Sequence, residues 1–177
     1  ALGDAKRIDA EIARGEGKNR PLLGIPFSVK ANIAIEGMRL DMGSWSMHGQ
    51  RSKSSATVIQ RLINAGAIPV CTTNISEMGL WHDTVNPIYG RTQNPWKSSR
   101  IVGGSGGGEA ALIASGGTLF GIATDLDGSL RIPASFCGVF AHKPSRGVIP
   151  LSGVFPFFKP EEEIPWRALD SVGPIAR

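Results

Sequence analysis

The stretch that most constrains this chain is "IVGGSGGGEAALIASGG", residues 101–117, where five glycines surround Ser105 and an Ala/Leu/Ile-rich run follows. Gly-rich loops that lead into a helix bind phosphate, expose a nucleophile or form a turn. A P-loop requires Lys and Ser or Thr after its last glycine, but Glu109 stands there and would repel a phosphate. Glu109 also occupies the third-glycine position of a dinucleotide-binding loop. Both nucleotide-binding interpretations are therefore excluded.

Residues 103–107 also match the Gly-x-Ser-x-Gly pattern of the α/β-hydrolase nucleophile, with Asp125 or Asp127 and then His142 in the expected order. However, His142 comes only 37 residues after Ser105. This separation leaves little room for the strands that carry the acid and the base in that fold. The spacing disfavours this triad.

A second serine, Ser129, lies in "GIATDLDGSLRIPASFCG". The pattern predicts a strand ending at Thr124, a tight turn, and a helix that Ser129 begins. Its hydroxyl would then lie among unpaired backbone N–H groups, where an acyl-transfer nucleophile belongs. The alternative is that Ser129 only caps the helix and that the glycines only form turns.

Composition indicates a globular α/β protein. The chain has 177 residues, 41% of them hydrophobic and 19% charged, and β and α patterns alternate along it. Its net charge of +4 is scattered, which disfavours a nucleic-acid partner. Cys71 and Cys137 show no disulfide or zinc spacing, so a reducing, intracellular compartment is expected. The chain starts without Met and ends at "SVGPIAR", and we expect it to be a piece of a longer protein.

Three further segments accompany these motifs: "GIPFSVKANI", "WHDTVNPIYGRTQNPW" and "HKPSRGVIP". Together with the glycine-rich stretch, the Ser129 segment and "SVGPIAR", they resemble the amidase signature family, above all its fatty-acid amide hydrolase branch. The resemblance covers about residues 20–177 and is far more specific than one glycine loop. It implies an α/β/α sandwich with a mixed central sheet, whose C-terminal part is missing from this chain.

The resemblance implies a Ser-Ser-Lys catalytic triad and no metal or cofactor. Ser129 matches the nucleophile and Lys30, in "GIPFSVK", matches the general base. Ser105 matches the bridging serine, which relays a proton between them and follows a cis peptide bond after Gly104. Lys30 must be neutral to accept a proton, so it should be buried with a lowered pKa.

The turn before Ser129 should bind the oxyanion of the tetrahedral intermediate through backbone N–H groups. The residues expected there are Leu126, Asp127 and Gly128, with Ser129 as a further donor. Supporting residues that match the family motifs are Gly104, Thr124, Asp125 and Arg131.

Two positions depart from the pattern of the lipid amidases. Gly106 replaces the second serine of the family's serine pair, which should lower activity without abolishing it. Asp127 replaces a glycine in the oxyanion turn, and its carboxylate would repel the oxyanion if it pointed inward. Other branches of the family tolerate Asp here, so the change predicts another branch or substrate before it predicts loss of function.

We therefore expect a serine hydrolase that cleaves carboxylic amides, with lipid amides such as fatty-acid amides favoured as the small-molecule substrate. The alternatives are an amidase for another amide, including a subunit of the amidotransferase type, or a dead pseudoamidase that binds acyl chains or a partner. Homodimer formation and membrane association of the full-length protein are compatible with this. We expect one partial domain, with a helical segment at residues 1–20, the catalytic motifs at 21–150, and an irregular excursion and truncated end at 151–177.

Overall fold

The computed structural model describes residues 1–156 and 168–177. Its α-helices are α1 (Leu2–Ala13), α2 (Thr57–Asn64), α3 (Gly107–Ala114) and α4 (Arg131–Cys137). Its strands are β1 (Pro26–Lys30), β2 (Ile68–Thr73), β3 (Val85–Asn86), β4 (Gly90–Arg91), β5 (Phe120–Asp125), β6 (Phe140–Ala141) and β7 (Ser171–Ala176). Short 3₁₀ helices cover Trp45–Met47 and Glu77–Gly79.

A mixed sheet forms the centre of the fold, with strand order β2-β1-β5-β7-β6. β1 runs parallel to β2 and to β5, whereas β7 runs antiparallel to β5 and to β6. β3 and β4 form a separate antiparallel hairpin. The predicted α/β fold with a mixed central sheet is confirmed.

Side chains alternate between the two faces of the sheet along each strand, and both faces carry apolar side chains. Helices therefore cover both faces. On one face Phe27 and Val29 of β1 and Ile122 of β5 pack with Val58 and Ile59 of α2. The other face packs against α3 and α4 through a second cluster, which includes Ala110, Ile113, Ala123, Ala134 and Ile175. Ser28 and Lys30 alternate with Phe27 and Val29 and are equally buried, so β1 carries polar groups into the interior.

The glycines after Ser105 allow α3 to begin in close contact with neighbouring loops. A Cβ atom on Gly107 would lie 2.4 Å from the Thr84 side chain. One on Gly108 would lie 2.4 Å from the backbone oxygen of Asn74. A larger residue at either position would push the helix away, so this part of the glycine run is a packing requirement.

The C-terminal segment differs from the sequence expectation. The sequence predicts no strand within residues 151–177, but β7 lies inside the sheet between β5 and β6. Gly173 and Pro174 mask this strand in the sequence, since both residue types are depleted in strands. Gly173 is required because a Cβ there would lie 2.0 Å from the backbone oxygen of His142. Residues 157–167 of the expected excursion lie outside the described residues.

The core on the α2 face gives a direct test of this packing. Phe27 is fully buried and stacks on Phe120 with 5.5 Å between ring centroids. Phe27→Ala in the full-length protein should lower the free energy of unfolding by about 3–5 kcal/mol, measured by denaturant titration. Leu2 in the first turn of α1 is 83% exposed and lies outside the sheet, so Leu2→Ala is the control and should change it by less than about 1 kcal/mol. Equal losses in the two variants would contradict the assigned core.

Candidate active site

Lys30 ends β1 and is buried, with 1% of its surface exposed. Its Nζ lies 2.9 Å from Ser105 Oγ, 2.8 Å from Thr124 Oγ1 and 3.4 Å from the Thr124 carbonyl oxygen. Burial lowers the pKa of Lys30 from 10.5 to about 8, although surrounding acidic groups act in the opposite direction. Burial and a lowered pKa were predicted for this residue, and both are confirmed.

Ser105 lies in the loop that leads into α3, and its side chain is buried. The Gly104–Ser105 peptide bond is cis, as the family resemblance implies. The Ser105 carbonyl oxygen accepts a hydrogen bond from the Ser76 N–H at 3.2 Å. A Cβ on Gly104 would lie 2.3 Å from the Trp81 carbonyl oxygen, so only glycine fits before the serine.

Ser129 lies two residues before α4 and does not begin the helix, which starts at Arg131. Its backbone oxygen accepts a hydrogen bond from the Gly106 N–H at 3.0 Å, which links the two serine loops. Its hydroxyl donates to Asp127 Oδ1 at 3.3 Å. Within residues 1–156 and 168–177, no hydrogen bond joins the Ser129 and Ser105 hydroxyls. Asp127, one of the two residues that differ from the lipid-amidase pattern, therefore binds the Ser129 hydroxyl in this structure.

Gly106 is the other residue that differs from the lipid-amidase pattern, and it lies between Lys30 and Ser129. A Cβ on Gly106 would lie 2.9 Å from the Ser129 carbonyl oxygen and 3.5 Å from Cδ of Lys30. A serine at this position would thus bring a hydroxyl next to both residues. The Ser129 loop would have to shift slightly to admit that side chain, because 2.9 Å is too short for a contact between a Cβ and a backbone oxygen.

Asp125 organises the turn between β5 and α4. Its fully buried carboxylate accepts hydrogen bonds from the Gly128 N–H at 2.8 Å and from the Arg131 side chain at 2.9 and 3.0 Å. Burial alone would raise the pKa of Asp125, but hydrogen bonds from Arg131, Lys143 and the backbone hold it well below its usual range. These contacts join the end of β5 to the backbone of the turn and to the Arg131 side chain.

The contact with Asp125 occupies the Gly128 N–H, which sequence analysis assigned to the oxyanion site. The N–H groups of Asp127 and Ser129, in contrast, donate to no residue in the described part of the chain. Gly128 has a φ of 123°, a conformation that glycine adopts readily. The turn therefore leaves two of the predicted oxyanion donors available.

Lys143 was not singled out from the sequence. Its Nζ binds Asp125 Oδ1 at 3.0 Å and the carbonyl oxygens of Asp125, Leu126 and Leu169 at 2.7, 3.0 and 2.8 Å. Asn32 was missed as well, and its Nδ2 donates to Thr124 Oγ1 at 2.9 Å. Both lie in segments that carry the family resemblance, but nothing in their spacing predicts contacts across the fold.

The structure gives no support to a triad that uses His142. The Ser105 hydroxyl contacts Lys30, and the His142 backbone N–H donates to Pro174 at 3.1 Å. The described residues contain no group of three or more His, Cys, Asp or Glu side chains placed to hold a metal ion. The polar side chains in contact around Lys30 are those of Ser105 and Thr124, and Asn32 contacts Thr124.

The sequence and the fold identify the family. The family model described as Amidase matches residues 1–177. The chain belongs to the amidase family. The family resemblance proposed from the motifs is thereby confirmed.

Amidase relatives of different kinds are about equally similar to the chain. Fatty-acid amide hydrolase 2 of Homo sapiens is 39% identical over 170 residues, which are 93% of this chain and 32% of the relative. A glutamyl-tRNA(Gln) amidotransferase subunit of Trichodesmium erythraeum is 38% identical over 177 residues, which are 100% of this chain and 35% of the relative. These identities do not separate the two kinds.

The peptide amidase of Stenotrophomonas maltophilia has the same fold, with a TM-score of 0.89 at 31% identity. The alignment covers 99% of this chain and 35% of that structure. The chain thus spans about a third of the length of the relatives it matches.

Lys143 provides a test of the turn. Lys143→Met in the full-length protein should lower the free energy of unfolding by about 1–3 kcal/mol, because Asp125 and three carbonyl oxygens lose a charged donor. Lys53 is exposed, and Lys53→Met should stay within about 0.5 kcal/mol of the parent in the same denaturant titration. An unchanged stability in Lys143→Met would show that the turn does not depend on this contact.

Proposed function

We propose that the full-length protein is a serine hydrolase that cleaves carboxylic amides, with Ser129 as nucleophile, Ser105 as proton relay and Lys30 as general base. The observation that carries this proposal is the 2.9 Å contact between Lys30 Nζ and Ser105 Oγ in a buried site. A lysine with a pKa of about 8 is neutral in about one molecule in ten at pH 7 and in more at higher pH, so it can accept a proton.

The contacts of Lys30 suit a neutral amine. Its two N–H groups can donate to the hydroxyl and carbonyl oxygens of Thr124, at 2.8 and 3.4 Å. Its lone pair then faces the Ser105 hydroxyl and accepts that proton. Ser105 in turn takes the proton of Ser129 as the Ser129 oxygen attacks the amide carbonyl carbon. For this step the Ser129 hydroxyl rotates from Asp127 towards Ser105.

The attack gives a tetrahedral intermediate whose negative oxygen accepts hydrogen bonds from the N–H groups of Asp127 and Ser129, with Leu126 as a further donor. Lys30 then returns its proton through Ser105 to the leaving nitrogen, and the C–N bond breaks. Water then attacks the acyl-enzyme and gives its proton through Ser105 to Lys30, and Lys30 returns that proton to the Ser129 oxygen as the carboxylic acid leaves. The net reaction converts an amide and water into a carboxylic acid and an amine.

For the substrate we favour an amide with a long apolar acyl chain. An exposed apolar surface lies beside Gly79, where a Cβ would be 3.7 Å from Ser105 Oγ. The residues that line a shallow cavity there are Glu77, Met78, Leu80, Trp81 and Val85. Similarity to a fatty-acid amide hydrolase agrees with this choice.

A second candidate is a subunit of the amidotransferase type, which releases ammonia for a partner. Its support is the equal similarity to a glutamyl-tRNA(Gln) amidotransferase subunit. A pseudoamidase that binds acyl chains or a partner is the third candidate, based on Asp127 beside the nucleophile. Homodimer formation and membrane association stay predictions. No helix in the described part of the chain is long and apolar enough to cross a membrane.

Fluorophosphonate labelling of the full-length protein tests the triad, because the reagent reacts with an activated serine. Ser129→Ala should abolish labelling. Lys30→Ala and Ser105→Ala should slow it by about 10²–10⁴-fold, since proton transfer is lost. His142→Ala is the control and should label at the parent rate.

Two results would contradict this proposal. Label that persists in Ser129→Ala but disappears in Ser105→Ala and His142→Ala would favour the Ser105 nucleophile of an α/β-hydrolase. Complete absence of label in the folded parent would favour a pseudoamidase.

Substrate preference can be tested with oleamide, a short-chain amide and glutamine. We expect the highest kcat/KM for oleamide, and Leu80→Ser should lower it by about tenfold while leaving the short amide unaffected. Leu119 is 63% exposed and precedes β5, at the opposite end of that strand from the Ser129 turn, so Leu119→Ser is the matched control and should change neither value. A preference for glutamine with release of ammonia would instead support the function of the amidotransferase type.

A further inference from the structure

Glu109 is the residue whose position in the glycine-rich stretch argues against a nucleotide-binding loop. It is fully buried in the first turn of α3. Its carboxylate oxygens accept short hydrogen bonds from the hydroxyls of Ser28 on β1 and Thr73 on β2. The Ser28 hydroxyl also contacts Thr118 Oγ1 at 2.9 Å. A buried carboxyl group thus joins α3 to two adjacent strands, and the proton path from Ser129 to Lys30 makes no use of it.

Gly121 on β5 leaves space for this carboxyl group. A Cβ on Gly121 would lie 1.8 Å from Glu109 Oε1 and 3.0 Å from Ser28 Oγ. Gly121 pairs with Ser28 in the sheet, so the carboxyl group lies against the backbone of the central strands. Any larger residue at this position would displace it. The glycine and the two hydroxyls together form a site built for a carboxyl side chain.

The same contacts place Glu109 next to the base. Ser28 and Lys30 are two residues apart on β1 and project from the same face of the strand. Thr73 is the residue that pairs with Lys30 across β1 and β2. Glu109 therefore binds both the neighbour of Lys30 along its strand and its partner across the sheet.

The charged groups that act on Lys30 come from every side of the site. They are Asp170, Asp125, Asp127 and Glu109, all of which favour the protonated amine. Asp125 stays ionised at any pH of interest because its pKa lies well below the usual range. Burial raises the pKa of Glu109 to about 7, in spite of the opposing hydrogen bonds from Ser28 and Thr73. Glu109 therefore gains its charge just below the pH at which Lys30 loses its proton.

We propose that Glu109 is a positioning residue for Lys30: through Ser28 and Thr73 it holds the end of β1, and with it the base, against α3. This proposal rests on the proposed function, because Lys30 must act as the base for the effect to be seen. A merely structural Glu109 would stabilise the fold without changing the pH profile of the site. The two roles therefore differ in one measurable property.

The test is the rate of fluorophosphonate labelling of the full-length protein between pH 5.5 and 10, for the parent and for Glu109→Gln. Glutamine keeps both hydroxyl contacts, since Ser28 can also accept a hydrogen bond, but it carries no charge. The parent rate should rise with a midpoint near the Lys30 pKa of about 8. In Glu109→Gln the midpoint should move to lower pH by about 0.3 units, which makes labelling about twofold faster near pH 7.

Glu36→Gln is the control, because Glu36 is exposed, and its profile should match that of the parent. If Glu109→Gln fails to fold, Thr73→Val provides the same test. Valine lacks the Thr73 hydroxyl that donates to the Glu109 carboxylate, so a smaller fraction of Glu109 is ionised near pH 8. The midpoint of the labelling profile should therefore also move to lower pH.

A Glu109→Gln midpoint equal to that of the parent would overturn this proposal and leave the proposed function intact. A shift to higher pH would overturn it equally, because it would mean that Glu109 favours the neutral amine. Label that is unaffected by Ser129→Ala would overturn the proposed function, and this proposal with it.

Discussion

The burial of Lys30 is the constraint on which the rest of the site depends. A lysine amine without solvent is stable only if each of its hydrogen-bonding positions is filled, and Thr124 and Ser105 fill them at the end of β1. Desolvation lowers the pKa of Lys30 to about 8, and the same burial demands close packing of the loop that carries Ser105. The glycines around Ser105 permit that packing, since Gly104 and Gly108 each lie within contact of a neighbouring backbone.

A second buried charge, Asp125, fixes the loop that carries Ser129. Its carboxylate binds Gly128, Arg131 and Lys143, so the turn after β5 is held by charged donors on one side and by backbone donors on the other. The two halves of the site meet where the Gly106 N–H donates to the Ser129 carbonyl oxygen. Lys30 and Asp125 thus position different loops from the ends of two neighbouring parallel strands, β1 and β5.

Much of this arrangement was predictable from the sequence, because glycine and serine motifs report local backbone requirements. The α/β class, the cis bond before Ser105 and the buried Lys30 all follow from the motifs and the family that they resemble. The contacts of Lys143, Asn32 and Glu109 were not predictable, since each joins segments far apart in the chain. The strand β7 was missed because Gly173 and Pro174 are poor strand residues, although Gly173 is required by the nearby His142 carbonyl oxygen.

The central claim is that Ser129 is the nucleophile, and locating the adduct in the labelled full-length protein tests it most directly. Trypsin releases residues 101–131 as one peptide that contains both Ser105 and Ser129, so fragment ions from tandem mass spectrometry must assign the phosphonate. The account predicts the added mass on Ser129 and an unmodified Ser105. An adduct on Ser105 would contradict the account, because that serine would then be the nucleophile and not the relay.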